Sequence, residues 1–490
     1  MAGVLVFRSS STPSAPLEIA SPAEPPARIC GSSVLDGPER PPDGAVTVDA
    51  GEHLSAMTKA SPPGTTFWLA PGVHTLGTGP FNQVTPKDGD VFVGGPGAVI
   101  DGQTKNRYAF AGDASDVVVR NLTIQNFGTG ASNRDEGVVN HDGGRGWLIE
   151  RSTVRDNDGA GVFVGSDNVL RENCLTANGQ YGFSMFKKEG LTSITIDHNE
   201  ISGNNTDDWE TRQPRCGCTG GGKFWDVTGA VVTANWVHDN RGVGLWADTN
   251  NVGFRFEQNY INDNDAEGLF YEISYNALIR GNTLKRNALV KGRVFAARQD
   301  PFPVGAIYLS ESGGDNRVNG GVYATLEVVG NLLEDNWSGV VLWENADRFC
   351  NSAANTSGRY CTKVGGVTRD TCSAGAIEAR PAYSDCRWKT QNVWVHGNEF
   401  RMDRDAIGCS ETTTSCGLNG LISNFGSFPQ WSPYKGRVVQ DDITFGQGNR
   451  FSDNRYVGDW KFSVYEPALV VGFREWRSPP YKQDHGSAKK

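Results

Sequence analysis

The chain has 490 residues, 61 of them glycine, and a formal net charge of −10. That length fits one large core or two to three ordinary domains. The acidity excludes the basic footprint of a nucleic-acid binder, and no run of 18 apolar residues is present to cross a membrane.

Residues 1–30 read as a truncated export signal and linker. The apolar run in MAGVLVF is short, and residues 8–28 are rich in Ser, Pro and Ala. Residues 31–114 read as an N-terminal cap and first coils. They carry Val-Thr-Val, Thr-Phe-Trp-Leu and Val-Phe-Val-Gly runs broken by Pro-Gly turns.

Residues 115–345 are organised by a repeat, Asn-x-apolar-x-x-Asn. Copies run from Asn173 to Asn178, Asn199 to Asn204, Asn235 to Asn240, Asn259 to Asn264 and Asn282 to Asn287. The closest copies start 21 to 26 residues apart. That suits a solenoid coil of three short strands, whereas a propeller blade needs about 40 residues. The first Asn of each copy is expected in the left-handed region, its side chain bonding the next coil as a ladder.

The second Asn is followed four residues on by Gly161, Gly182, Gly244 or Gly268, and then by a short apolar strand. Counting from that Gly, positions one and three point inward and two and four outward. Position four holds Asp248 and Glu272. Aligning an inserted coil on Gly222 adds Asp226, and counting from Asn336 adds Glu344. Position two holds Phe224, Trp246 and Phe270, and His141 falls at position four of its own coil. The same alignment leaves Lys223 pointing inward. Exposed stacked aromatics need a cover, and sugar rings present suitable apolar faces.

Three insertions leave the same corner of the coil. The gap from second Asn to Gly grows to 18 between Asn204 and Gly222, to 18 between Asn287 and Gly305, and to 11 between Asn126 and Gly137. They are expected to wall a groove. The first carries Trp209 and the Cys216/Cys218 pair, the second Lys291, Arg293 and Arg298. Residues 346–390 hold Cys350, Cys361, Cys372 and Cys386 and read as a disulfide-rich insertion. Residues 391–490 read as last coils and a C-terminal cap. Ten cysteines, no CxxC pair and only His396 near the cluster favour disulfides over zinc, and an oxidising compartment.

The Asn-x-apolar and Gly-apolar pattern, with Pro96-Gly-Ala-Val-Ile-Asp-Gly102, resembles the repeat of the pectin-lyase-like superfamily over residues 90–455. The resemblance implies an all-β, single-stranded right-handed parallel β-helix of about ten or more coils. It also implies an extracellular protein acting on polysaccharide. It leaves the reaction open, since hydrolases, lyases, epimerases and tailspikes share the fold.

For a glycoside hydrolase, Asp248 and Glu272 are the expected acid and base or nucleophile, with Asp226 assisting and Glu311, Glu344 and Asp135 in reserve. Phe224, Trp246, Phe270, Trp209, Glu311, Glu344, Lys187, Arg293 and His141 are expected to contact substrate. No cofactor is expected for hydrolysis. A lyase or epimerase would instead use Lys187, Arg293 or Arg298 as base and hold Ca2+ on the acids. A non-catalytic carbohydrate-binding or adhesion protein needs only the aromatics. The expected partner is a polysaccharide, with no nucleic acid and no membrane.

Overall fold

The computed structural model describes residues 25–128, 136–214, 216–318, 324–358, 360–373, 385–410, 413–426 and 437–490. The chain winds through three long sheets. The first has 13 strands, from Val46–Val48 to Arg450–Ser452. The second has 13, from Gly72–Thr75 to Ala488–Lys489, and the third has 11, starting at Gly137–Val139. One coil reads Val252–Glu257 in the first sheet, Tyr260–Asn262 in the second and Leu269–Glu272 in the third. Strands pair in parallel throughout the sheets, except where Lys461–Tyr465 meets Val470–Val471. This is a parallel β-helix.

The period-two pattern sets what lies inside. Val237, Ile261, Leu284 and Leu333 stand level on successive strands of the second sheet, all fully buried. Burying such a side chain contributes about 1.5–3 kcal/mol. The same stacking runs the length of the solenoid, so one apolar core extends from Val48 to Trp476.

Asparagines line two corners. Asn259 Oδ1 accepts from Asn235 N at 3.0 Å and Asn235 Nδ2 at 2.9 Å, and Asn259 Nδ2 donates to Val232 O and to Asn282 Oδ1. The second Asn row repeats the pattern from Asn157 to Asn336. The left-handed residue is the one before each ladder Asn: Glu172, His198, Ala234 and Gln258. The expectation that the first Asn itself takes that conformation holds for Asn121, at φ 57°, and is corrected for these four copies. A buried ladder amide spends its bonds on the neighbouring coil, and its neighbour makes the turn.

The insertions shift the register. Gly222 pairs with Leu245, so Gly221 stands level with Gly244. Gly137 pairs with Ala160, one place before Gly161. Leu269 pairs with Ile307, so Ala306 matches Gly268. A slip of one residue turns every side chain of a strand to the opposite face.

The ends are tied down. Cys30 is disulfide-bonded to Cys174, and Ile29 N and Cys30 N donate to the buried Glu200 carboxylate at 2.7 and 2.8 Å. Cys350–Cys361 and Cys372–Cys386 both close within residues 346–390, and Cys216–Cys218 and Cys409–Cys416 pair locally. At the far end Trp476 is fully buried and stacks on Phe462 at 4.9 Å. No helix among the described residues is long and apolar enough to cross a membrane.

Candidate active site

The third sheet presents two outward rows. One holds Lys223, Trp246, Phe270 and Tyr308; the other holds Trp225, Asp248, Glu272, Ser310 and Trp343. Trp246 stacks on Phe270 at 5.1 Å and 13°, and Phe270 on Tyr308 at 4.6 Å and 27°. In-register neighbours on parallel strands sit about 4.8 Å apart, which imposes this stacking on any aromatic run. Asp248 and Glu272 are paired partners on adjacent strands.

Several expected residues lie elsewhere. Phe224 faces inward, fully buried between Phe183 and Phe254, because its strand restarts one residue earlier than Gly222 implies. For the same reason Asp226 leaves the acid row. It sits in the following turn at φ 53°, 2.5 Å from Lys363. Glu344 is one place past the row, since Trp343 is level with Ser310. It is buried against Arg387 and accepts from Thr390 N. His141 slips likewise, and its ring stacks on Tyr108 at 3.6 Å.

Trp209 is buried with Ala160, Tyr181 and Cys218, where it anchors the first insertion rather than meeting solvent. Arg293 donates to Ile407 O at 3.3 Å, away from the acids. Lys187 is half-buried one place past Phe186 and lines neither cleft described below. Glu311 is fully buried in a turn at φ 44° and pairs with Arg348. Asp135 lies outside the described residues.

Two cations organise the remaining acids. Lys223 Nζ lies 3.0 Å from Asp248 Oδ2, donates to Gly217 O at 2.6 Å and sits 4.0 Å from the Trp246 ring centre. Arg348, from the disulfide-tied insertion, donates to Glu272 Oε1 at 2.8 Å, Glu311 Oε2 at 3.2 Å and Thr356 Oγ1 at 2.6 Å. Trp246 Nε1 donates to Glu272 Oε2 at 3.2 Å. Burial pushes the Glu272 carboxyl up to about 7; Arg348 pulls it down, and Asp248 and Glu311 push it further up. Glu311 is raised as well, first by burial.

The acids therefore differ in what they face. Asp248 is held by a lysine, and Glu272 is poised to carry a proton near neutrality. Both are largely covered, with 10 and 13 % of their side-chain surface open. The covering residues include Ser357, whose hydroxyl is 2.9 Å from that of Thr249, itself bonded to Asp248. Lys223 pairs with Asp248, and Arg348 with Glu272 and Glu311, so these acids are matched by the protein's own cations.

Two clefts open on the same face. The larger, about 810 Å3, is floored by Trp246 and Phe270 and walled by Asp208 and Gly217 of the first insertion and by Lys291 and Phe295 of the helix Leu289–Ala297. Asp265 also lines it. Its carboxyl is raised first by burial, lowered by Arg241, and raised by Asp208. The smaller, about 390 Å3, is lined by Phe163, Phe186, Lys223, Trp225, Thr356 and the Cys216–Cys218 disulfide. Between them Gly217 packs over Trp246 so closely that a Cβ there would lie 2.7 Å from the indole.

Sequence reasoning missed Lys223, Arg348 and Asp265 as site residues. The signal for Lys223 was its inward placement under the wrong register. Arg348 gave none, being 76 positions from Glu272.

The right-handed beta helix region family matches residues 136–322. No curated protein matches the sequence. Similar solved structures include the A-module of a mannuronan C-5 epimerase from Azotobacter vinelandii, 13 % identical over 71 % of this chain and 88 % of that one, with a TM-score of 0.44. A mannuronic acid specific family 6 lyase from human gut microbiota is 11 % identical over 86 % and 82 %, with a TM-score of 0.45. The catalytic domain of a GH87 α-1,3-glucanase is 12 % identical over 92 % and 70 %, also at 0.45. The chain is a right-handed parallel β-helix. Its resemblance to the pectin-lyase-like superfamily holds at the level of that fold.

Proposed function

We propose that this protein is a secreted polysaccharide-active enzyme, a glycoside hydrolase whose acid couple is Asp248 and Glu272. The observation that carries this reading is the couple itself. Two in-register carboxyls stand beside an aromatic row, Asp248 ion-paired with Lys223 and Glu272, held by Arg348, raised to about 7. Glycoside hydrolysis needs that division. Protonated Glu272 gives its proton to the glycosidic oxygen as the bond to the anomeric carbon breaks. Asp248 supplies the carboxylate opposite, as nucleophile or as base toward water. In a nucleophilic route, Glu272, now ionised, takes a proton from the water that releases the sugar.

Trp246 joins the couple to the larger cleft, since its ring lines that cleft while its Nε1 binds Glu272. Lys223 and Arg348 act as positioning residues. Five disulfides support the extracellular part of the reading. The test is a polysaccharide panel with parallel reducing-end and ultraviolet detection. New reducing ends without unsaturation are expected. Ultraviolet-absorbing products would make the protein a lyase, and retention of polymer without shortening would make it a binder.

A second reading is favoured by the carboxyls of Asp208 and Asp265, which line the larger cleft directly and have no hydrogen-bond or ion-pair partner among the described residues. In it that pair carries the chemistry and Asp248 with Glu272 is structural. Glu272→Gln and Asp265→Asn, assayed side by side, separate the two.

A further inference from the structure

We infer that the smaller cleft is a sugar subsite of the acid couple, in which a pyranose ring of the glycan stacks on Phe186; this rests on the reading of Asp248 and Glu272 as glycan-active. The register places this cleft at the head of the acid row. Trp225 is paired with Asp248, and Asp248 with Glu272. Phe186 follows the short strand Phe183–Ser184 and meets Trp225 at 6.2 Å. Neighbouring strands lie about 4.8 Å apart, so Phe186 stands about 10 Å from Asp248 along the solenoid. Two lining residues touch the couple's own network. Lys223 Nζ lies 3.0 Å from Asp248 Oδ2, and Thr356 Oγ1 accepts at 2.6 Å from Arg348, which holds Glu272.

Phe186 is 47 % exposed. Among the described residues its one ring contact is with Trp225, at 80° between the planes, so at least one of its faces carries no stacked ring. Half-buried Phe163 and Trp225 and the Cys216–Cys218 disulfide line the cleft around it. An exposed aromatic set in an apolar cleft marks a surface that a ligand covers, and a volume of about 390 Å3 falls in the range of small-molecule sites. The one charged lining residue among the described residues, Lys223, is already held by Asp248 and Gly217 O. The cleft therefore meets its ligand with apolar surface, and with the Thr356 O–H, which is left to donate because its oxygen accepts from Arg348. A pyranose ring matches both. Its C–H groups make an apolar face for the Phe186 ring, its hydroxyls lie around the edge, and it demands no cation.

The experiment is affinity electrophoresis of the full chain carrying Glu272→Gln. The matrices are laminarin, dextran, xylan, soluble starch, alginate and polygalacturonate, each at low and moderate salt. Retention by at least one polymer is expected. Adding Phe186→Ala should weaken that retention about tenfold, the gain from covering the open part of a phenyl group. The loss should be equal at both salts, because no charge is removed. Phe186→Tyr should keep the retention, and so should Val73→Ala, a comparably exposed apolar residue on the second sheet. Melting shows that each variant folds as its parent does. Undiminished retention of Phe186→Ala, or an equal loss in Val73→Ala, overturns the inference and leaves the acid couple untouched. No retention by any of the six polymers removes the glycan site and this subsite with it. A loss in Phe186→Ala alone, with no cleavage by the wild type, would instead sink the hydrolase reading and leave this one standing.

Discussion

Replacing Asn259 by Ala tests the ladder that sets the register of every coil. Asn259 Oδ1 is the acceptor for Asn235 N at 3.0 Å, a buried donor with no other partner among the described residues. Asn235 Nδ2 also loses a bond but keeps Ile196 O and Thr233 O, and Asn282 Oδ1 keeps Asn259 N. One orphaned buried donor costs about 1–3 kcal/mol, and each further lost bond about 1 kcal/mol. With the bond to Val232 O also lost, the sum is a loss of about 4–6 kcal/mol, part of it recovered if water enters the space. Urea unfolding followed by tryptophan fluorescence measures it. Asn316→Ala, on an exposed loop residue, is the control and should stay within about 0.5 kcal/mol. If Asn259→Ala costs no more than the control, the ladder does not hold the coils together and the reasoning fails.

The raised Glu272 carboxyl sets the direction of the pH profile. The protonated acid is lost as pH rises through about 7, so kcat/KM on a cleaved polymer should fall above that point. Burial raises Asp158 to about 7, and its bond to Asp207 raises it too. The folded state thus holds a proton that the unfolded chain releases near the ordinary carboxylate range. The stability gained is fully present at low pH and is lost as pH rises through about 7. In Asp158→Asn the melting temperature should lose that decline. Phe224→Ala should cost about 3–5 kcal/mol of stability, as a core deletion does, while Trp246→Ala should mainly weaken glycan retention; the two variants compared by melting and by affinity electrophoresis check the corrected register.

The sequence displayed the solenoid because its signal is local and repeated. Asn173, Asn199, Asn235 and Asn259 recur at coil length, and apolar pairs follow each Gly. Coils with Gly four residues after the second Asn gave the right faces, so Asp248, Glu272, Trp246 and Phe270 stand together. The inserted coils failed by one residue each, and so did the coil after Asn336, where Gly339 comes three residues on instead of four. An insertion's length does not say where the strand restarts, and the run Gly220-Gly221-Gly222 offers three equivalent starts. The partners of the acids were illegible for another reason. Arg348 and Ser357 reach the row from a loop whose path is set by tertiary packing and two disulfides.

The most direct measurement is turnover of a cleaved polymer by Glu272→Gln and Asp248→Asn, each shown by circular dichroism to keep the wild-type fold. The account expects each to lose about 10²–10⁴-fold in kcat, the usual contribution of a positioned acid or base. A folded Glu272→Gln protein that cleaves at the wild-type rate would contradict it and move the chemistry to Asp208 and Asp265.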